Sequence, residues 1–228
     1  NMSRDHILDG MQGYYGNLAF VDSLFGEVLN ELEKLGLREN TLVVYSVDHG
    51  EMLHNHGLWT KFVFFDQSVR IPLIFSLPGT LREGVVSDAL VENIDIFPTL
   101  MEITGCEIPS SAQGQSLFPL LSGRTRRHRR FVHSEFPLPG KNQPGADLQA
   151  TTMLYDGRYK CIDNGPEGFP ELYDHRKDPG EFTNIAGRPD QRRRVEKMQA
   201  ELRDWIRRDA VKVQPRWRDL QLAEREEA

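Results

Sequence analysis

Residues 41–51 read Thr-Leu-Val-Val-Tyr-Ser-Val-Asp-His-Gly-Glu, an apolar run that ends in an adjacent carboxylate and imidazole. The β-branched and aromatic residues at 41–47 are typical of a strand buried on both faces. Asp48 and His49 then lie at the carboxyl end of that strand. Open α/β sheets gather ligands and metal ions at this end, so the stretch predicts a sheet and a site together.

An amphipathic helix is predicted just before this strand. Apolar residues recur there at steps of three and four, and Gly36 can terminate the helix. The stripe consists of Leu18, Val21, Phe25, Val28, Leu32 and Leu35. A helix that leads directly into a buried strand favours an α/β fold with a mainly parallel sheet flanked by helices. A second strand is predicted at 71–75, where Pro72 requires a strand start or an edge, and a second helix at 95–104.

The composition changes near residue 124, because five arginines occur within residues 124–130. We place a boundary there. The predicted division is residues 1–123 as the C-terminal half of an α/β core, residues 124–214 as a small α+β subdomain, and residues 215–228 as a loose tail. The arginine run is interpreted as a solvated linker in preference to an anion or nucleic-acid patch, since the chain is acidic overall.

The predicted subdomain is a small antiparallel sheet with one packed C-terminal helix. Asp156-Gly157 separates two β-rich runs, which is a strong hairpin signal. Residues 136–145 read as a proline- and glycine-rich loop. An apolar stripe then predicts a helix that Pro215 ends or kinks. The stripe is formed by Val195, Met198, Leu202, Trp205 and Ile206.

Charge and length limit the possible partners. The chain has 228 residues and a formal net charge of -6, which argues against nucleic-acid binding through overall charge. No apolar run approaches the roughly 20 residues that a membrane span needs, and the polar N-terminus does not resemble a signal peptide. Cys106 and Cys161 form no C-x-x-C pair, so we expect two buried free thiols, a reducing compartment and a cytoplasmic location.

The pair Asp48-His49 has two interpretations from residue chemistry alone. A carboxylate favours calcium, magnesium or manganese, and an imidazole shifts the preference towards manganese or zinc. The alternative is a helix N-cap followed by a hydrogen-bonded histidine. Lys61 could hold an anionic substrate group or lie on the surface, and Glu51 could be a general acid or base or a carboxylate in a helix first turn.

The ensemble of motifs around this pair closely resembles the C-terminal half of the sulfatase family, a branch of the alkaline phosphatase superfamily. The resemblance runs from about Tyr14 to about Pro189 and keeps the family's order. Its motifs are residues 48–61, 67–74, 35–41, 93–100, 114–117 and 171–174.

The resemblance implies a role for four residues. Asp48 and His49 match the family's C-terminal pair of metal ligands, so a divalent calcium, manganese or magnesium ion is expected. Lys61 matches the lysine that contacts sulfate and the nucleophile, and His56 is a weaker candidate for lining the pocket. The implied activity is hydrolysis of a small anionic sulfate ester by a formylglycine nucleophile, with the metal as Lewis acid.

The sequence departs from the family pattern at the nucleophile. Neither cysteine and no serine has proline two places on and arginine four places on. The early strand with the remaining metal ligands is also missing from the match. The chain is either a portion of a longer enzyme or an isolated reading frame that starts at Met2, and we expect the second. An isolated chain is expected to be inactive and to self-associate as a homo-oligomer that covers an exposed sheet edge.

Two alternatives stay open. The same fold and metal could serve a phosphate or phosphonate monoester hydrolase, since sites in the superfamily differ mainly in nucleophile and pocket charge. The chain could also be a non-catalytic remnant whose role is self-association. The substrate, the metal and the oligomeric state are not determined by these motifs.

Overall fold

The computed structural model describes residues 2–137, 150–165 and 168–208. The predicted tail at 215–228, the helix end at Pro215 and most of the loop at 136–145 lie outside these residues. In chain order the elements are α1 (Arg4–Lys34), β1 (Val43–Ser46), α2 (Asp66–Val69), β2 (Leu73–Ser76), α3 (Ile96–Ile103), α4 (Phe118–Leu121), β3 (Val132–Pro137), β4 (Ala150–Tyr155), β5 (Tyr159–Asp163), β6 (Glu171–Asp174) and α5 (192–208).

The chain folds into two compact units. Unit 1 comprises residues 1–88 and 119–126, and unit 2 comprises residues 89–118 and 127–228. The predicted domain boundaries at 123/124 and 214/215 remain a prediction, and the two compact units have different boundaries. Residues 89–118 group with unit 2, and a network of buried charged groups described below accounts for this grouping.

The first helix of unit 1 is longer than its apolar stripe predicted. Ser3 caps α1 by accepting a hydrogen bond from the backbone N–H of His6. At the other end Gly36 has φ +67°, and the N–H of Leu37 donates to the carbonyl of Leu32. This Schellman ending confirms Gly36 as the terminator. None of the 31 residues of α1 is buried.

The strands of unit 1 form a two-stranded sheet. β1 pairs with β2 in antiparallel register, with Val44 opposite Phe75. The α/β class is confirmed, but the parallel pairing expected for the larger sheet is absent among the described strands. β1 is partly exposed along its whole length and is not buried on both faces. The ring of Phe25 on α1 packs against Tyr45 of β1 with 5.4 Å between centroids.

Unit 2 contains the predicted antiparallel sheet and its packed helix. The strand order is β3-β4-β5-β6, and each neighbouring pair is antiparallel. Gly157 has φ +90° at the turn between β4 and β5, which confirms the Asp156-Gly157 hairpin. The core joins this sheet to α5 through Leu154, Tyr159, Cys161, Leu172, Val195, Met198 and Leu202. Ile206 of the predicted stripe is exposed instead.

A buried charge network links residues 89–118 to residues 127–137 within unit 2. Asp95 has no exposed surface and accepts hydrogen bonds from the Arg129 guanidinium and from the Gln115 backbone N–H. His128 also contacts Asp95, and Arg129 pairs with Glu92 at 2.7 Å. A buried carboxylate requires such partners. Arg129 is therefore a structural residue. The interpretation of the arginine run as a solvated linker is wrong at this position.

Further charged groups are buried in the sheet of unit 2. The Lys160 ammonium lies 2.7 Å from a carboxylate oxygen of Glu181, and both side chains are almost fully buried. The Arg158 guanidinium, which donates to both carboxylate oxygens of Asp174, lowers the pKa of Asp174 to about 2. The first pair ties β5 to the segment that follows β6, and the second ties the turn before β5 to the end of β6.

The two cysteines are free but differ in exposure. Cys161 is buried, as predicted, and its burial raises the pKa of the thiol to about 12. Cys106 is exposed, so the prediction of a second buried thiol is wrong. Among the described helices, none is long and apolar enough to cross a membrane.

Candidate metal centre

The carboxyl end of β1 presents Asp48 and His49 on a tightly held turn of unit 1. The N–H of Gly50 donates to the carbonyl of Ser68 at 2.7 Å. A Cβ atom at Gly50 would lie 1.9 Å from the carbonyl oxygen of Gln67. Residue 50 is therefore restricted to glycine, because any side chain would push the turn away from the segment that carries α2.

The hydrogen bonds of His49 fix the tautomer of its neutral form. The Nδ1 atom lies 2.7 Å from the carbonyl oxygen of Gly50. A carbonyl can only accept, so Nδ1 carries the proton and Nε2 presents its lone pair. Nε2 lies 3.3 Å from Oδ2 of Asp48. Two hydrogen-bond acceptors at this distance repel each other unless a proton or a cation lies between them.

The donor set and its spacing fit a divalent metal ion. Ligand atoms about 2.1 Å from one ion are roughly 3.0–3.4 Å apart in octahedral or tetrahedral geometry, which brackets the 3.3 Å between His49 and Asp48. The Asp48 side chain is 85% exposed and leaves room for further ligands. The Gly50 carbonyl serves as the outer partner that metal-binding histidines usually have. Two donor atoms are fewer than the four or more ligands that such ions take, so a complete site would need others.

The loop that follows, residues 51–60, has an unusual backbone. Four residues other than glycine have positive φ angles: Leu53 at 44°, His54 at 66°, His56 at 53° and Thr60 at 75°. Such conformations cost roughly 1–3 kcal/mol each and cluster at functional sites. The surrounding contacts must therefore hold this loop in place.

Glu51 holds the two ends of this loop together. Its carboxylate accepts the N–H of Thr60 at 2.6 Å and lies 3.4 Å from the N–H of Leu53. Met52, which is fully buried, donates its N–H to the carbonyl of Thr60. Neither sequence interpretation of Glu51 described this role. No helix begins at Glu51, and its carboxylate is bound to the loop backbone.

Lys61 and His56 are placed by contacts with residues 65–68. The hydroxyl of Ser68 donates to the carbonyl of Lys61, and Ser68 also accepts from Gly50. Ser68 thus ties the Lys61 segment to the turn that carries Asp48 and His49. The ring of His56 stacks on Phe65 at 3.9 Å between centroids. The Nζ atom of Lys61 lies 5.8 Å from the centroid of the Phe62 ring.

Sequence reasoning missed the supporting residues of this site. Ser68 is almost fully buried, with 3% exposure. It lies in the stretch 67–74, which contributed only to the family resemblance. A buried serine between a glycine turn and a lysine gives no periodic signal. The contribution of Glu51 through its carboxylate and of Ser68 through both carbonyl and hydroxyl depends on the fold of the loop. The geometry brings Asp48 and His49 together, and the roles given to Asp48, His49, Lys61 and His56 remain predictions.

Comparison with known proteins identifies the family. The family model described as N-sulphoglucosamine sulphohydrolase, C-terminal, matches residues 54–208. The chain belongs to the sulfatase family. This sulfatase chain is 34% identical over 204 residues to arylsulfatase K of Xenopus laevis, covering 85% of the chain and 36% of the relative.

The chain is similar to solved structures from two hydrolase groups. BT4656, solved in complex with its substrate D-glucosamine-2-N,6-O-disulfate, matches with a TM-score of 0.72 and 29% identity over 86% of this chain and 39% of that one. The phosphonate monoester hydrolase SpPMH of Silicibacter pomeroyi matches with a TM-score of 0.74 and 32% identity over 83% of this chain and 39% of that one. The chain thus spans about a third of the length of its curated relatives, and it matches their C-terminal part, as the sequence predicted.

Proposed function

We propose that this chain carries the C-terminal part of a metal-dependent sulfatase site and that the substrate is a small anionic sulfate ester. The observation that carries the proposal is the orientation of His49 Nε2 towards Asp48 Oδ2 at 3.3 Å, with Nδ1 bound to a carbonyl. The sulfatase relatives support the class of ester. One structural neighbour was solved with a sulfated sugar as its substrate, which supports a sulfated sugar as one form of that ester.

Asp48 and His49 hold the metal ion in this proposal. Sulfatases generally use a divalent metal, and calcium, manganese or magnesium suits a carboxylate and an imidazole. When bound, the ion acts as a Lewis acid that stabilises negative oxygens of the ester group. Glu51 and Ser68 keep the turn and the loop in the geometry that this requires.

Lys61 and His56 act on the anionic group of the substrate. Lys61 supplies a cation for the sulfate oxygens as charge develops on them. His56 lines the pocket from the stacked position on Phe65, where its ring orientation is fixed. A preorganised cation is more effective than a mobile one because no reorganisation is needed during the reaction.

The nucleophile is supplied from outside these 228 residues in this proposal. The printed sequence contains no Cys/Ser-x-Pro-x-Arg motif for formylglycine formation, and two metal ligands are too few for a tight site. We therefore propose that the chain alone does not hydrolyse sulfate esters. It gains activity when another polypeptide segment contributes the motif and the remaining ligands.

A phosphate or phosphonate monoester is the second candidate substrate class. The likeness to SpPMH, a phosphonate monoester hydrolase, favours it specifically. A tetrahedral anionic ester of phosphorus would use the same metal and the same lysine. Both candidates predict binding at Asp48 and differ in the ester that the completed site turns over.

Two further proposals concern the setting of the chain. Its free thiols at Cys106 and Cys161 support a reducing, cytoplasmic location. The two-stranded sheet of unit 1 has open edges among the described strands, which supports a homo-oligomer that covers them. In this proposal neither a nucleic acid nor a membrane is a partner of the chain. If no metal binds at Asp48, the non-catalytic, self-associating remnant becomes the better account.

Isothermal titration with manganese and with calcium tests the metal site. We expect binding on the order of 0.1–1 mM, as for sites with few fixed ligands, and at least tenfold weaker binding in Asp48→Ala and His49→Ala. The control is Asp22→Ala, which removes an exposed carboxylate from α1. Equal binding by wild type and Asp48→Ala, or no binding by wild type, would reject the proposed site.

An activity assay separates the substrate classes. The chain is mixed with an N-terminal sulfatase segment that carries the Cys-x-Pro-x-Arg motif, and 4-nitrophenyl sulfate is compared with a 4-nitrophenyl phosphonate monoester. We expect no sulfate hydrolysis by the chain alone and hydrolysis by the mixture, with a large loss in Lys61→Ala. A preference for the phosphonate ester would favour the second candidate.

A further inference from the structure

The outward side of α5 carries more positive charge than the carboxylates of the helix balance. Val195, Met198 and Leu202 mark the side of α5 that lies in the core of unit 2. With about 3.6 residues per turn, the opposite side consists of residues 193, 196, 197, 200, 203, 204 and 207, and all of them are exposed. We call this surface the α5 face. It contains four basic residues, two carboxylates and Ala200.

Every carboxylate of α5 is already paired with an arginine of the same helix. The pairs are Arg192–Glu196, Arg207–Asp204 and Arg208–Glu201, with N–O distances of 2.9, 3.3 and 3.5 Å. The guanidinium of Arg194 lies over the ring of Tyr159 instead, 3.7 Å from the ring centroid. The basic residues of α5 that have no ionic partner among the described residues all belong to the α5 face: Arg193, Lys197 and Arg203.

The positive charge of α5 is unfavourable for the helix on its own. Arg193 and Lys197 are four residues apart, as are Arg203 and Arg207. Like charges at this spacing repel each other on the surface of a helix. α5 carries seven basic and three acidic residues, whereas the whole chain has a net charge of -6. Unmatched cations that cost stability in an acidic chain are expected where they bind a ligand.

The shape of the α5 face fits an extended anion with several charges. The distance along the helix axis from Arg193 to Arg207 is about 21 Å at 1.5 Å per residue. Ala200 lies near the middle of the face, and its small side chain lets a polymer approach the helix between Lys197 and Arg203. Guanidinium groups bind oxyanions through several N–H donors at once. A row of sulfate groups is therefore a better match to the face than a single anion.

The surroundings of the α5 face exclude two other kinds of polyanionic partner. The face contains no aromatic residue on which a nucleic-acid base could stack. The apolar side of the helix is occupied by the core of unit 2, so α5 has no free apolar face to insert into a membrane surface. A polysaccharide needs neither of these features, since its anionic groups are spread along a hydrophilic chain.

We propose that the α5 face binds a sulfated polysaccharide through Arg193, Lys197 and Arg203. The proposal rests on the proposed function for the chemistry of the ligand, a sulfated sugar, and extends it from a small ester to a polymer that contacts unit 2. A polymer held at α5 raises the concentration of sulfate esters around the chain. None of the three residues takes part in the candidate metal centre.

Fluorescence anisotropy of a labelled heparin oligosaccharide tests the binding. We expect saturable binding that weakens roughly 20-fold between about 50 and about 200 mM NaCl, since three cations displace about three counterions. The triple variant Arg193→Gln/Lys197→Gln/Arg203→Gln should bind at least tenfold more weakly at about 50 mM NaCl. Glutamine is as good a helix former as lysine or arginine, and circular dichroism checks that the variant is folded.

The matched control is Arg124→Gln/Arg126→Gln/Arg127→Gln. It removes the same charge from exposed positions of the arginine run and should bind heparin within about twofold of wild type, because distant charges are screened. Asp48→Ala should also bind heparin as wild type does. Two competitors test the class of polymer: hyaluronan, which has carboxylates and no sulfate, and single-stranded DNA should each compete at least tenfold less well than unlabelled heparin.

Four results would overturn the proposal. The first is no binding of heparin by the wild type at about 50 mM NaCl. Equal losses in the two triple variants would assign the binding to overall charge, and a loss in Asp48→Ala would place the polysaccharide at the metal centre. Equal competition by hyaluronan or DNA would reject a sulfated polysaccharide as the ligand. Metal titration of the Arg193 triple variant should match wild type, so the α5 face and the metal site fail separately.

Discussion

Two helices of the chain, α1 and α5, have apolar stripes with the same spacing but different surroundings. α5 places Val195, Met198 and Leu202 in the core of unit 2, against three strands of its sheet. α1 spans 31 residues, yet buries none of them. The same periodicity is thus buried in one unit, whereas the described residues of this chain leave it partly exposed in the other.

The difference lies in what each helix has to pack against. Unit 2 provides four strands, and β5 is flanked by a strand on each side. The described residues of unit 1 provide two short strands, and Phe25 of α1 packs against Tyr45 on one of them. Buried charge pairs follow the same division, since Lys160, Glu181 and Asp95 are all in unit 2. A stripe predicts an apolar face, and the number of available strands decides whether that face is covered.

The largest effect is expected from the buried ion pair of unit 2. Lys160→Met removes the partner that lies 2.7 Å from the buried Glu181 carboxylate. Glu181 keeps its contact with His175 at 3.1 Å, but loss of the ammonium beside a buried carboxylate should still lower the free energy of unfolding by about 3–5 kcal/mol. A urea titration followed by circular dichroism measures this. Lys34→Met on α1 breaks an exposed pair with Glu31 and should change the free energy of unfolding by less than about 1 kcal/mol. Equal losses in the two variants would contradict the contrast between the buried and the exposed pair.

Leucines of the two helices provide the next comparison. Leu202 is fully buried on α5 and Leu18 is 47% exposed on α1. Leu202→Ala should cost about 2–4 kcal/mol through lost burial and the cavity that remains. At 1 µM, where the chain is expected to be monomeric, Leu18→Ala should change stability by less than about 0.5 kcal/mol. Similar losses at both positions would show that α1 is covered after all.

Two glycines, one inside α1 and one just after it, should respond in opposite ways to substitution by alanine. Gly36→Ala places a side chain at φ +67° and should destabilise by about 1 kcal/mol. Gly16 lies inside the helix, and an added Cβ there would have nothing within 4 Å. Gly16→Ala should therefore stabilise by up to about 1 kcal/mol. Thermal unfolding of both variants is the measurement, and shifts of the same sign would contradict the assigned helix end.

A pH dependence of stability is also expected in unit 2. The folded pKa of Asp174 is about 2, below its ordinary value of 3.8, because Arg158 stabilises the carboxylate. Its contribution to stability is fully present above about pH 4 and is lost as the pH falls through 2. Asp174→Asn should have a flatter stability profile between pH 4 and 2, as followed by urea titration at each pH. Asp190→Asn, at an exposed position, should retain the wild-type slope.

Periodicity and turn chemistry predicted most elements of the fold. The hairpin at Asp156-Gly157, the helix at 95–104 and the end of α1 at Gly36 depend on local preferences that the sequence displays directly. The antiparallel pairing of β1 with β2 was not predicted, because a short apolar run contains no information about the direction of its partner. The burial of Arg129 was also missed, since its partner Asp95 lies 34 residues earlier in the chain.

The candidate site divides in the same way. The adjacency of Asp48 and His49 is visible in the sequence because both follow the apolar run. The tautomer of His49, the positive φ angles at 53–60 and the bridging role of Ser68 depend on contacts between segments that are not adjacent in sequence. Residue types therefore predicted the candidate ligands, and the fold shows which contacts hold those residues in place.

Hydrogen–deuterium exchange at several chain concentrations most directly tests the contrast between α1 and α5. α5 is covered by its own unit, so its amide protection should be the same at 1 and at 200 µM. Protection of α1 should be lower than that of α5 at 1 µM, because none of the residues of α1 is buried. Equal protection of α1 and α5 at 1 µM would contradict this account.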